Sequence, residues 1–565
     1  MTLATLVPAP VRRARKPARG GAWLLGAALV AGFVLLPVAA LVDIAIQGSG
    51  DLWPHLIENV LPTALEQTAL LLLGVGLITV LVAVPCAWLV STCAFPGRSI
   101  LEWALLLPLA VPGYIVAYSY LDVLHPLGPV QSAIRWMFEI PSPRDFRLPD
   151  LRSTGGCIFV LSCVLYPYVY LSARASFVVQ SASALEVART LGAGRIKTFL
   201  RIALPLARPA IVAGVTLALL ETLGDIGASE FLGMRTLTVS IYSTWVNRSN
   251  LPGAAQIALV MLVLVVGLIV AERAARSGAR YSAAGSGRPP TRIKLQGPLG
   301  IAALITCAVP VLLGFVIPVV HLSHAAIARI QFNGIAPNIL TEAWNSAFLA
   351  LAGTALALGL GLVITVAQRL HASKAAIWFA RIGSLGYAIP GTVLAIGLLT
   401  PLANFDNLVD LFARETFGVS TGLLLSGTGA ALVIAYAIRF LTIPIGGLEA
   451  GYAKLSVHLD MASRSLGSSN ASTLRRIHLP LLRPALATAA LMVFVDGMKE
   501  LPATLLLRPL GVETLATHIY GEAARGTYED GALAALLIVL VGLAPVIILA
   551  RLSRTALASS SQSAR

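Results

Sequence analysis

Long apolar runs alternate with short polar ones along most of the chain, and their length suits a bilayer rather than a globular core. They lie near 22–46, 64–92, 100–122, 155–178, 207–226 and 254–272, and again near 296–320, 343–367, 376–401, 421–445, 482–498 and 531–551. A helix rises about 1.5 Å per residue, so roughly 20 apolar residues cross a hydrocarbon layer about 30 Å thick. The pattern predicts an all-α polytopic membrane protein with about twelve transmembrane helices. The first run follows Arg12, Arg13, Arg15, Lys16 and Arg19. It is longer than a signal-peptide core and shows no small-residue cleavage site, so it reads as a retained helix.

Composition narrows the class further. Of 565 residues, 57% are apolar and 12% charged, where a soluble surface needs roughly a quarter charged. So apolar a chain does not stay disordered, and five cysteines are too few for a disulfide-stapled secreted scaffold. The net charge of +15 would suit nucleic acid, but no aromatic-interleaved basic face accompanies it. The cations instead cluster between apolar runs, as at Arg273, Arg276, Arg280, Arg288, Arg292 and Lys294, or at Arg551 and Arg554. That placement follows the positive-inside rule and puts both termini in the cytoplasm. No nucleic-acid partner is expected; the lipid bilayer is.

The second half repeats the first. Gln67-Thr68 returns as Asn345-Ser346, Pro112-Gly113 as Pro390-Gly391, and Ile241-Tyr242 as Ile519-Tyr520, each 278 residues on. The segment from Arg189 to Ala210 returns from Arg464 to Ala485, 275 residues on. Residues 1–274 and 295–565 therefore read as two parallel six-helix repeats joined by a cytoplasmic linker at 275–294, with a path between them on a pseudo-twofold axis.

Between the fourth and fifth runs of each repeat lies a polar elbow, at about 183–209 and 457–484. Glu186, Ala188 and Arg189 stand in a helix-forming stretch, Gly192 permits a turn, and a short basic helix over 195–203 leads to Leu204-Pro205, where proline suits the first turn of the next helix. The second copy carries Asp460, Ala462, Arg464, Gly467, Leu479 and Pro480. The spacing from Gly192 to Ile202-Ala203-Leu204-Pro205, and from Gly467 to Ile477-His478-Leu479-Pro480, resembles the EAA loop of ATP-binding-cassette importer permeases of type I. The resemblance implies that each elbow seats its first helix on one cytoplasmic ATPase subunit, two copies in all. It also implies that a soluble binding protein delivers substrate from outside. Val187 replaces the first alanine of the pattern, and Met461 stands where Glu186 does, with Asp460 one place earlier. Arg189 and Arg464 can bind partner carboxylates or snorkel to head groups. No G-x-x-x-x-G-K-[ST] phosphate loop occurs, so ATP is bound by partner subunits. The chain carries no cofactor or metal site of its own and is not an enzyme.

Acids sit where the membrane should be. Glu221 lies about 18 Å into the fifth run of the first repeat, with Asp225 one turn further on the same face, and Asp496 and Glu500, with Lys499, repeat the arrangement in the second. Carboxylates at that depth are costly unless they face a cavity or a partner charge. Three readings are open: a polar gate or cation path, helix-to-helix hydrogen bonding or a Lys499 ion pair, and direct coordination of a metal. The stretches from Leu223 to Tyr242 and from Lys499 to Tyr520 (KELPATLLLRPLGVETLATHIY) are similar to the fused permeases of iron(III) importers, which implies an inner-membrane permease for ferric iron. The same architecture with another substrate such as thiamine, or a secondary transporter driven by an ion gradient, are the alternatives. His321 and His324, and Tyr114, Tyr118 and Tyr120, read as interfacial or packing residues.

Overall fold

The computed structural model describes residues 21–179, 194–276, 292–371 and 373–562. Among them, nine helices are long and apolar enough to cross a membrane, two further pairs do so with a bend, and Ala532–Ile548 is a shorter apolar stretch. That reaches the dozen which the apolar pattern predicts. In the first half the order is α1 Gly21–Ile46, α2 Leu52–Thr92, α3 Arg98–Ala110, α4 Gly113–Val123, α5 Pro129–Met137, α6 Thr154–Val179, α7 Phe199–Gly224, α8 Gly227–Phe231, α9 Leu237–Val246 and α10 Leu251–Arg276. The second half follows with α11 Pro298–Asn333, α12 Ile339–Leu370, α13 Lys374–Gly383, α14 Gly391–Phe417, α15 Ala430–Phe440, α16 Thr442–Ala453, α17 Val457–Ser465, α18 Asn470–Met498, α19 Pro502–Leu507, α20 Leu515–Arg525 and α21 Ala532–Gln562. A two-residue parallel bridge, β1 Cys93–Ala94 with β2 Ile293–Lys294, ties the end of the linker to the end of α2.

The landmarks that betray the duplication are the places where the backbone needs help. The backbone N–H of Arg235 donates to Gln67 Oε1 and that of Leu237 to Thr68 Oγ1, while Leu515 N–H donates to Ser346 Oγ and Asn345 Nδ2 to the Glu513 carbonyl. Thr236 and Thr514 then cap α9 and α20 through their own hydroxyls. Pro112 and Pro390 both stand in extended backbone just before α4 and α14, with ψ of 149° and 144°. α3 and α4 meet at 93°, so the third apolar run does not cross straight through.

The first helix of each half packs on the other half. α1 lies on α12, α13 and α14, and Gly397 lets the Pro37 carbonyl come to 2.3 Å from where a Cβ would sit. In return α11 lies on α2, α4 and α6: Tyr120 Oη donates to the Leu313 carbonyl at 2.8 Å, and a Cβ on Gly314 would meet the Cys163 carbonyl at 2.2 Å. Outward faces such as Leu70, Leu73, Leu77 and Leu81 of α2 are exposed. Their spacing is that of one helix stripe, as expected of a lipid-facing surface.

One expectation needs correction. Residues 195–203 do not form a separate helix ending before the proline. A helical turn at Arg195–Thr198 leads without a break into α7, and α18 is continuous from Asn470, through Pro205 and Pro480 respectively. The chain accommodates each proline by a π turn immediately before it, Phe199–Ala203 and Leu474–His478. Proline cannot donate to the carbonyl four residues back, and the ladder slips by one residue instead of breaking.

Candidate functional site

A cavity of about 120 Å³ lies where the helices of the two halves break, and Glu221, Asp225, Asp496, Lys499 and Glu500 all line it. The sequence places the acids of each pair on one helix face. The structure brings them together differently: α7 ends at Gly224 and α18 at Met498, so Asp225, Lys499 and Glu500 lie on the break itself.

The break gives two of the acids a structural task. Asp225 Oδ1 accepts from the Ala228 N–H at 2.7 Å, at the start of α8. Its counterpart Glu500 accepts from the N–H of Ala503 and of Thr504 at 3.1 Å and from Thr504 Oγ1 at 3.0 Å, at the start of α19. Free N–H groups at a helix start attract a carboxylate. Gly113 and Gly391 complete the arrangement. A Cβ on Gly113 would stand 2.5 Å from Asp225 Oδ2, and one on Gly391 2.6 Å from Glu500 Oε1 and 2.7 Å from Arg439 Nη1. The Pro-Gly pairs are thus where two helix starts pass the capping carboxylates too closely for any side chain.

The other two acids have no such symmetry. Glu221 accepts a hydrogen bond from Tyr387 Oη of the second half at 2.6 Å. Asp496 pairs with Lys499 at 2.9 Å, and both side chains remain about a quarter exposed, against 2% for Glu500. Arg439 stands 3.8 Å from Glu500. Tyr114 Oη reaches the Lys499 carbonyl across the halves at 3.5 Å. Four carboxylates therefore face two cations. Tyr387, Arg439 and Tyr168 line the same cavity and were missed in the sequence; Arg439, a lone cation inside the run 421–445, was the available signal. Tyr118 and Tyr120 are buried packing residues, as read, and His321 Nε2 pairs with Asp122 at 2.9 Å. No group of three or more His, Cys, Asp or Glu able to hold a metal occurs among the described residues.

At the elbow, Glu186, Ala188, Arg189 and Gly192 lie outside the described residues; Pro205 is exposed and Leu204 half-buried. The second elbow is complete. Gly467 turns the chain between α17 and α18 at φ +81°. Asp460 points inward: Arg369 Nε donates to its Oδ2 at 2.8 Å, and His478 Nε2 lies 2.6 Å from its Oδ1. Arg369 Nη2 also donates to the Leu455 carbonyl, and Ser463 and Thr473 join their hydroxyls at 2.7 Å. One face of α17 is thereby bolted to α12 and α18. The other presents Val457, Leu459, Met461, Ala462, Arg464 and Leu466 to the outside, Leu466 at 85% exposure. Leu479 is half-buried and Pro480 exposed.

Residues 68–277 match the family described as binding-protein-dependent transport system inner membrane component. The molybdenum transport system permease protein ModB of Escherichia coli K12 is 30% identical over 221 residues, which are 93% of that protein and 37% of this chain. The chain belongs to this family. It is similar along most of its length to the Fe(3+)-transport system permease protein FbpB 2 of Haemophilus influenzae, at 26% identity over 491 residues, 86% of this chain and 89% of that protein. The putative 2-aminoethylphosphonate permease PhnU of Salmonella choleraesuis is 29% identical over 281 residues, 93% of its length and 46% of this chain. Half-length permeases match half of this chain and the long one matches nearly all of it, so this is two ABC importer permease units in one polypeptide. It is a multi-pass inner-membrane transport subunit of a system that also uses an ATPase and a substrate-binding protein.

Proposed function

We propose that this permease carries ferric iron, delivered outside by a soluble binding protein, and that two copies of a cytoplasmic ATPase grip its elbows at 183–209 and 457–484. The observation that supports the cargo is the cavity between the halves, where four carboxylates outnumber Lys499 and Arg439. Such a lining repels an oxyanion and suits a hard cation, which prefers oxygen ligands. The full-length likeness to a protein named for Fe(3+) transport points the same way.

In this reading residues 1–274 and 295–565 each supply one elbow, joined by the cytoplasmic linker 275–294, with both termini on the same side as the elbows. The chain itself holds no cofactor and hydrolyses nothing. The exposed apolar face of α17, around Met461 and Leu466, takes the ATPase, and Asp460 positions that face rather than standing in for a contact glutamate. ATP draws the elbows together. α12 carries the movement as a rigid rod from Arg369 at the elbow toward its other end, and the cavity opens outward; loss of ATP reverses it.

The test is uptake of radiolabelled iron(III) in cells with and without the chain, with molybdate and thiamine as controls. Uptake of iron alone, abolished by ATP depletion, is expected. Uptake of a control instead of iron overturns the cargo. Uptake that survives ATP depletion but collapses with an uncoupler overturns the ATP-driven reading.

A further inference from the structure

The last landmark of the duplication, Tyr242 and Tyr520, plays no part in the cavity or the elbows. Both tyrosines lie at the other end of the molecule. α12 fixes the direction: Arg369 near its C-terminal end pairs with the elbow, while Glu342 near its start pairs with His518 of α20 at 3.0 Å. The 27 residues between Glu342 and Arg369 span about 40 Å of helix. At this far end the two tyrosines, 278 residues apart in sequence, meet edge to face with ring centroids 6.2 Å apart. Residues related by a pseudo-twofold axis can touch only at that axis, so the pair marks the mouth of the path between the halves.

Tyr520 is also the common wall of two chambers, one of about 430 Å³ shared with Tyr242 and one of about 340 Å³ shared with Glu230. Three of the carboxylates lining these chambers have a basic neighbour: Glu513 pairs with Arg508, Glu522 with Arg525, and Glu342 meets the His518 imidazole. Glu230 differs. Its Oε2 accepts from Tyr520 Oη at 2.6 Å, and no cation pairs with it among the described residues. It sits at the far end of α8, five residues beyond Asp225 and so about 7 Å of helix from the cap that lines the central cavity.

We propose that Glu230, Tyr520 and Tyr242 form a receiving site for a hard trivalent cation at the outer mouth, one step above the central cavity. The proposal rests on the iron reading and specifies where that cargo first meets this chain. All three donors are oxygens, one carboxylate and two phenols, the set that a small, highly charged cation prefers and a soft metal does not. The site is incomplete, so water or an accompanying anion fills the remaining positions, and a cation can leave as well as arrive. A phenol is protonated at neutral pH, and Tyr520 Oη donates its proton to Glu230 Oε2. A strong Lewis acid is therefore needed to displace the phenol proton. Each phenol that becomes a phenolate ligand releases one proton to water, and no electron is transferred.

The experiment uses the full chain with its ATPase in lipid nanodiscs, titrated with iron(III) supplied as its nitrilotriacetate chelate. A phenolate-to-iron(III) charge-transfer band in the visible is expected for the wild-type complex. It should disappear in the double variant Tyr242→Phe with Tyr520→Phe, which keeps both rings, and need at least tenfold more iron in Glu230→Gln, which keeps an acceptor for Tyr520. No band in the wild type, or an undiminished band in the double variant, overturns the proposal. Iron uptake by cells separates the two readings. Wild-type uptake without the band removes the receiving site and leaves the cargo standing; a band without uptake removes the cargo and leaves the site.

Discussion

In the first half Asp225 gives its carboxylate to the N–H of Ala228, and in the second half Glu500 does the same for Ala503. Four residues earlier the correspondence ends. Glu221 takes a phenol from Tyr387, whereas Asp496 takes the ammonium of Lys499. The two outer acids and their facing glycines, Gly113 and Gly391, do one structural task twice, because each repeat must end a helix inside the membrane and satisfy the N–H groups that the next one exposes. The inner pair is free of that task, and there the halves have diverged. In a fused duplication, features that match across the axis report what the fold requires, and features that differ report what the cargo or a partner requires.

The comparison breaks most visibly if a shared acid is removed. Glu500→Ala leaves three donors and the Arg439 guanidinium without their carboxylate in a site that is 2% exposed. Losing one partner of a buried ion pair costs about 3–5 kcal/mol, so this variant should express poorly and unfold well below the wild type in detergent. Asp225→Ala removes one helix cap and has no adjacent guanidinium to strand, and should cost about 1–2 kcal/mol. Stability measured by tryptophan fluorescence with both proteins solubilised alike decides it; a loss at Asp225 equal to that at Glu500 would count against the division drawn here.

A smaller effect is expected at the second elbow, where one helix has a bolted face and a free one. Asp460→Asn weakens its bonds to Arg369 and His478 and should cost about 2 kcal/mol, while ATP hydrolysis continues with little uptake. Met461→Ala, on the free face, should leave the unfolding midpoint unchanged and weaken co-purification with the ATPase. If both variants lost stability alike, the free face would be a packed one.

At the diverged pair the expected outcome reverses. Asp496→Asn or Lys499→Met should leave thermal stability close to wild type, since both side chains remain a quarter exposed, and reduce iron uptake about tenfold, the equivalent of roughly 1.4 kcal/mol. Unfolding of either variant, with uptake per folded molecule unchanged, would make the pair structural.

The duplication, the span count and the lining of one cavity by the acids were legible because each rests on a strong local signal: an apolar run of bilayer length, a fixed offset, a charge in the wrong place. The cavity partners were harder to see. Tyr387 reaches Glu221 from a segment 166 residues away, and nothing in its own neighbourhood marks it as polar-facing. Arg439 was visible as a cation within an apolar run, yet only the fold shows that it faces Glu500. The continuous passage of α7 through Pro205 departs from the expected short helix over 195–203 for a physical reason. A π turn has no sequence signature beyond the proline that forces it, and the rule that proline starts a helix is the commoner outcome.

The smallest expected effect belongs to another difference between the halves. Glu342 and His518 pair at the outer end of α12, where the corresponding positions of the first half, Ala64 and Ser240, can form no ion pair. The hydrogen bond to Glu342 raises the His518 imidazole above its ordinary value against the opposing effect of burial, and Glu522 adds to the rise. Protonated His518 is thus favoured in the folded protein. Its contribution is fully present below about pH 6.5, the unperturbed value, and fades as pH rises through the higher folded value. Because His518 is only half-buried, solvent screening should hold the contribution to a few tenths of a kcal/mol. His518→Gln should therefore lower the unfolding midpoint slightly at pH 6 and hardly at all at pH 9, when compared with wild type in the same detergent. A gap that is the same at both values would mean that α20 is held to α12 by neutral hydrogen bonds such as that of Leu515 to Ser346, which both halves share, and that this ion pair is incidental to the second.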